Sequence, residues 1–142
     1  MLPRFKHLLV PVDFTTKNQA ALDIAFEIGK QNDARVTLLH VIETIENVPK
    51  EELKSFYDQL TARATSQLES RCQRFEDAGI KIDWKLRYGK RVFEVVQDAH
   101  DRKVDLIVMS SHRVDPAAGL QGLGTLSYEV SILCDCPVLL VK

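Results

Sequence analysis

The chain has 142 residues, of which 45% are hydrophobic and 27% charged, and its net charge is −1. That length holds one full core and is short for two ordinary domains, so a single domain over residues 1–142 is expected. The charge balance lacks the basic surplus of a nucleic-acid binder, and no apolar run reaches the roughly eighteen residues of a membrane span, so neither nucleic acid nor membrane is an expected partner.

Met1 to His7 runs straight into a first apolar stretch and leaves no room for a signal peptide, which makes a cytoplasmic location the expectation. Lys6 to Val12 reads as the first strand and Arg35 to Val41 as the second, both nearly continuous in apolar residues, as strands covered on two faces should be. Between them, Lys17 to Lys30 places Ala21, Ile24, Ala25 and Ile28 at helical spacing, with Thr15 or Thr16 available as N-cap. A longer helix is expected over Lys50 to Ala78, where Leu53, Tyr57, Leu60, Ala64, Leu68, Cys72 and Phe75 recur every three or four residues before Gly79 stops it.

Ile80 to Arg87 alternates apolar and charged residues, the pattern of a strand at an edge or with one polar face. After Tyr88-Gly89, the stripe Val92, Val95, Val96, Ala99 marks a third helix. Asp105 to Ser110 reads as a fourth strand, Thr125 to Leu133 as a fourth helix and Pro137 to Val141 as a fifth strand. The alternation of short apolar runs with periodic ones is that of βαβ units, so the expected fold is α/β: a three-layer, doubly wound, Rossmann-like sheet of five parallel strands with four helices.

In such a sheet ligands bind beyond the carboxyl ends of the strands, near the switch in strand order. The residues after each strand are therefore candidates: Asp13, then Ile42 and Glu43, then Gly89, then Ser110 to Arg113. The long irregular stretch Ser111 to Leu123 opens from the fourth strand and leads to Gly124-Thr125 at a helix start, where unpaired N–H groups and the helix dipole favour an anion.

The sequence resembles the universal stress protein family over essentially its whole length. The resemblance is carried by Val10-Pro11-Val12-Asp13-Phe14-Thr15, Thr37-Leu38-Leu39-His40-Val41, Gly89, Asp105-Leu106-Ile107-Val108-Met109, Gly124-Thr125 and Cys136-Pro137-Val138-Leu139-Leu140-Val141. It implies a homodimer paired through the last strand, Val138 to Val141, and ATP, with magnesium, in the cleft. Asp13 would meet ribose hydroxyls or a magnesium-linked water, the Val41 backbone would read the adenine edge, and Pro11 and Val12 would line the base. Met109, Ser110, Ser111, His112 and Arg113 would surround ribose and phosphates, with Gly124, Thr125 and Leu126 offering the helix N-terminus.

The family's ATP motif, Gly-x-x-Gly, nine residues, then Gly-Ser or Gly-Thr, is matched only at Gly124-Thr125. Ser110 and Arg113 stand at its first two glycines and ten residues precede Gly124. A Cβ at those positions keeps the backbone from closing on phosphate oxygens. Two readings stay open: a stress-response regulatory protein that binds adenine nucleotide, and a nucleotide-free homodimeric interaction module of the same fold.

Bland roles stand beside these. Asp13 serves as a turn residue, Thr125 as an N-cap and His112-Arg113 as a solvated pair, while His40 is a hydrogen-bonded interior or strand-end residue. Cys72, Cys134 and Cys136 are expected as reduced thiols. Cys134-Asp135-Cys136 is too closely spaced for a usual zinc pair and reads as structural. No catalytic motif is present, and with no base to orient water, ATP hydrolysis is expected to be slow at most.

Overall fold

The computed structural model describes residues 4–112, Ala117 and residues 125–142. Its elements are β1 (His7–Pro11), α1 (Asn18–Asn32), β2 (Arg35–Glu43), a 3-10 turn (Lys50–Leu53), α2 (Lys54–Asp77), β3 (Ile82–Gly89), α3 (Arg91–Asp101), β4 (Leu106–Ser110), α4 (Leu126–Leu133) and β5 (Val138–Val141). The five strands form one parallel sheet in the order β3-β2-β1-β4-β5. The α/β expectation holds, and β3 lies at an edge as its alternating sequence indicated.

The chain steps from β1 outward to β2 and β3, then crosses back to β4 and outward to β5. Right-handed crossovers running in opposite directions place their helices on opposite faces. Accordingly Ala21, Leu22 and Ala25 of α1 and Leu68, Cys72 and Phe75 of α2 pack with Leu8, Val10, Val36 and Leu38. Val95 and Ala99 of α3 and Val130 of α4 pack with Leu9, Leu39, Val41, Ile107 and Met109 on the other face. Successive residues of each central strand thus serve alternate layers, which is why these strands carry no polar face.

Three boundaries differ from the sequence reading, each for a local reason. The N-cap of α1 is Lys17, without a side-chain capping bond, because Thr15 and Thr16 give their carbonyls to the N–H groups of Asn18 and Gln19. The first turn of the second helical segment is 3-10, set off from α2 at Leu53. At its far end Gly79 takes φ 76°, the left-handed conformation expected of it, and Ile80 N–H bonds to Phe75 O. Ile80 therefore closes the helix, and β3 starts at Ile82.

A polar chain crosses the amino end of the sheet. The His7 Nε2–H donates to Thr37 Oγ1 at 2.8 Å, and the Thr37 hydroxyl donates to Asp83 Oδ1 at 2.6 Å, with Arg35 and Arg102 beside that carboxylate. Burial first, and then the Arg35 charge, hold the His7 pKa below its ordinary 6.5. Just below that pH the unfolded chain binds the proton and the native imidazole does not, so this contribution to stability is present above 6.5 and is lost as pH falls through the native value. Chemical denaturation between about pH 7 and pH 5 should show stability falling with pH, and a shallower fall in His7→Gln.

Candidate functional site

The crevice at the carboxyl edge begins with a proline. Because Val12 N–H bonds to Leu39 O at 2.8 Å, the alternation of the ladder turns Leu9 and Pro11 toward β4. Pro11 has no N–H to give there. Pairing between β1 and β4 is confined to Leu8↔Leu106 and Leu9↔Ile107, although β1 runs on to Pro11 and β4 to Ser110.

Asn18, 3% exposed at the start of α1, spans the resulting gap. Its Oδ1 accepts from the N–H groups of Asp13 (2.8 Å) and Phe14 (3.0 Å), and its Nδ2 donates to Ser110 Oγ at 3.0 Å. Ser110 passes its own proton to the Lys17 carbonyl at 3.1 Å. One buried amide therefore ties the loop after β1 to the end of β4.

Asp13 Oδ1 accepts from the Thr15 backbone N–H (3.0 Å) and hydroxyl (2.7 Å), the turn role its residue type allows. Oδ2 has no hydrogen bond among the described residues. Burial pushes this carboxyl up, but the two Thr15 bonds and the Arg91 charge outweigh it and hold the pKa below the usual range, so the group is a carboxylate at neutral pH. A single open carboxylate oxygen suits magnesium that takes its other ligands from phosphates and water, and does not make an all-protein metal cage. Among the described residues no cluster of three or more His, Cys, Asp or Glu side chains could hold a metal ion.

Val41 supplies backbone. Its N–H and C=O face the same side as those of Leu39, one step past the point where β1 leaves the ladder, and meet no backbone partner among the described residues. His40, on the opposite parity, donates Nδ1–H to Val12 O at 2.7 Å and lies 4.4 Å from the Phe14 ring, centroid to centroid. Burial, reinforced by Arg91, keeps its pKa below the ordinary value despite the Val12 bond, and the imidazole is neutral at pH 7.

These groups enclose a cleft of about 70 Å3. It opens into a groove of about 600 Å3 that shares Asp13, His40, Val41 and Arg91 with it. The cleft alone is smaller than ordinary small-molecule sites, so a ligand of nucleotide size would seat one part inside and extend along the groove. At the mouth, the half-exposed Arg91 of α3 sits 3.6 Å from Glu43.

The model of the Universal stress protein family matches residues 4–142. The chain belongs to that family. It is 26% identical to universal stress protein YxiE of Bacillus subtilis over 97% of its own length and 99% of that protein. Among solved structures it resembles UspA from Lactobacillus plantarum, with a TM-score of 0.82 and 23% identity over 98% of this chain and 99% of that one. A universal stress protein solved in complex with cAMP superposes with a TM-score of 0.75 and 21% identity, covering 97% of each chain.

Of the residues the family resemblance nominated, Pro11, Val12, Asp13, Val41, Met109, Ser110 and Leu126 line the cleft together. Thr125 is the N-cap of α4, as expected by position, but its hydroxyl lies 3.4 Å from Ser127 Oγ and makes no capping bond to the backbone. Ser111 and His112 belong to the α4 side. Ser111 Oγ accepts from Ser127 (3.0 Å), the His112 carbonyl accepts from Tyr128 (3.3 Å), and Lys142 reaches both residues. Arg113 and Gly124 lie outside the described residues.

Sequence reasoning missed Asn18, Arg91, Leu39 and Val95 as lining residues and assigned His40 only its hydrogen-bonded role. Arg91 carried one signal, its place two residues after Gly89. Asn18 carried none, since a polar residue at a helix start is ordinary. Asn18→Leu should cost about 1–3 kcal/mol in chemical denaturation, because it keeps the volume, strands two N–H groups and removes the donor to Ser110 Oγ.

Proposed function

We propose that this universal stress protein binds an adenine nucleotide at the carboxyl edge of its sheet, as a cytoplasmic regulatory protein whose occupancy alters its contacts. The observation that carries the reading is the pairing of an unmatched Val41 N–H and C=O with a carboxylate, Asp13, across one apolar cleft. A purine edge offers a complementary donor and acceptor, and a ribose offers hydroxyls to a carboxylate. Val12 and Met109 would flank the base, Asp13 Oδ2 would accept from the ribose, and the phosphates would run by Ser110 toward Thr125 and Leu126 at the start of α4. The cAMP complex of a structural relative supports an adenine nucleotide as the ligand class.

ATP is the form proposed, with magnesium shared between its phosphates and Asp13. Isothermal titration with ATP, ADP, AMP and cAMP tests the reading directly. Asp13→Ala should weaken binding about tenfold, equivalent to about 1.4 kcal/mol. No heat with any of the four at millimolar concentration would reject it in favour of the nucleotide-free module, which the small cleft and the internal bonding of Ser110 favour.

A homodimer through Val138–Val141 is proposed as well. β5 is an edge strand, Leu139 is exposed on it, and Ile132 and Leu133 stand exposed on neighbouring α4. An apolar edge of this kind is normally paired or covered. Light scattering should give twice the 16.1 kDa chain mass at micromolar concentration, and Leu139→Glu should shift the protein to monomer.

A further inference from the structure

At the opposite, amino edge of the sheet two thiols meet. Cys134 ends α4, its N–H bonded to Val130 O at 2.9 Å, and the chain leaves it extended at φ −78° and ψ 147°. The chain then bends at Asp135 and Cys136 before β5, and Cys134 and Cys136 both line one pocket of about 390 Å3 against the end of α3. Both cysteines are free and partly exposed, whereas Cys72 is buried in the α2 core.

The donor set selects the ligand. Thiolates prefer soft ions. Zinc in a structural site wants four ligands, and among the described residues no group of three candidate metal-binding side chains exists here or elsewhere. Two thiolates with nothing behind them suit a soft cation content with two ligands. Binding one monovalent ion leaves a net charge of −1 on the centre, and Lys103 lines the same pocket to offset it. His100, whose Nδ1 is 3.8 Å from Asp135, stands at the rim of the same pocket.

We propose that Cys134 and Cys136 form a two-thiolate site for a soft monovalent cation, of which copper(I) is the biological representative. On binding, both S–H bonds break, the two protons pass to solvent, two S–Cu bonds form, and no electron is transferred. The site shares no residue with the nucleotide cleft and does not depend on that reading.

The test is anaerobic titration of the full reduced chain with copper(I) against a chromophoric copper(I) chelator. One ion per chain is expected for the wild type and for Cys72→Ser, with binding weakened at least about a hundredfold in Cys134→Ser and Cys136→Ser, and X-ray absorption of the wild-type complex should show two sulfur neighbours. No uptake by the wild type, uptake surviving in both serine variants, or three or more ligands around copper would overturn the proposal. Should a serine variant fail to fold, alkylation of the wild type decides. One equivalent of copper should protect both Cys134 and Cys136, located by peptide mass spectrometry, and modification of either at the copper-free rate would refute the site.

Discussion

The reversal of crossover direction between β1 and β4 is the constraint from which the rest of the molecule follows. Two neighbouring strands whose connections depart to opposite faces cannot have their carboxyl ends covered by the same helix. A gap is therefore built into the topology, and Pro11 widens it by withholding the one N–H that would have continued the ladder toward β4. Asn18 then sets how wide the gap stands, with a single amide satisfying two loop N–H groups on one side and Ser110 on the other.

The electrostatics of the crevice rest on few charges. His40 is kept neutral by burial and by Arg91, and Asp13 is kept ionised by Thr15 and Arg91. Arg91 therefore acts on both groups from the mouth without a direct hydrogen bond to either, while its own charge is partly answered by Glu43. The result is a pocket with one carboxylate, one neutral imidazole and a stretch of unpaired main chain. Such a set is suited to recognition by hydrogen bonds, and among the described residues it includes no cluster of three or more side chains that could hold a metal ion.

The readability of the chain varied with the physical origin of each signal. The central strands were legible because burial on both faces demands unbroken apolar runs, and Gly79 was legible because only a residue free at positive φ ends that helix as it does. The start of β3 was not, since Ile80 has the residue type of a strand and is claimed by a helix-closing bond to Phe75. Asp13, Val41 and Met109 were recovered through family resemblance and strand ends. Ser111 and His112 sit next to the same strand end, yet their polar groups are taken by Ser127, Tyr128 and Lys142. Proximity in the chain does not say which way a loop carries its side chains.

By itself the sequence determined the class of fold, the number and order of strands and helices, and the edge of the sheet at which the cleft lies. Those depend on periodicity, on breakers and on a handedness rule, all of them local or topological. Only the tertiary structure decided that Asn18 bridges the crevice, that Arg91 reaches over Asp13 and His40, and that Cys134 and Cys136 share a pocket. Each of these rests on the meeting of side chains from elements far apart in the chain or on the exact course of a turn, and no residue pattern records such a distance.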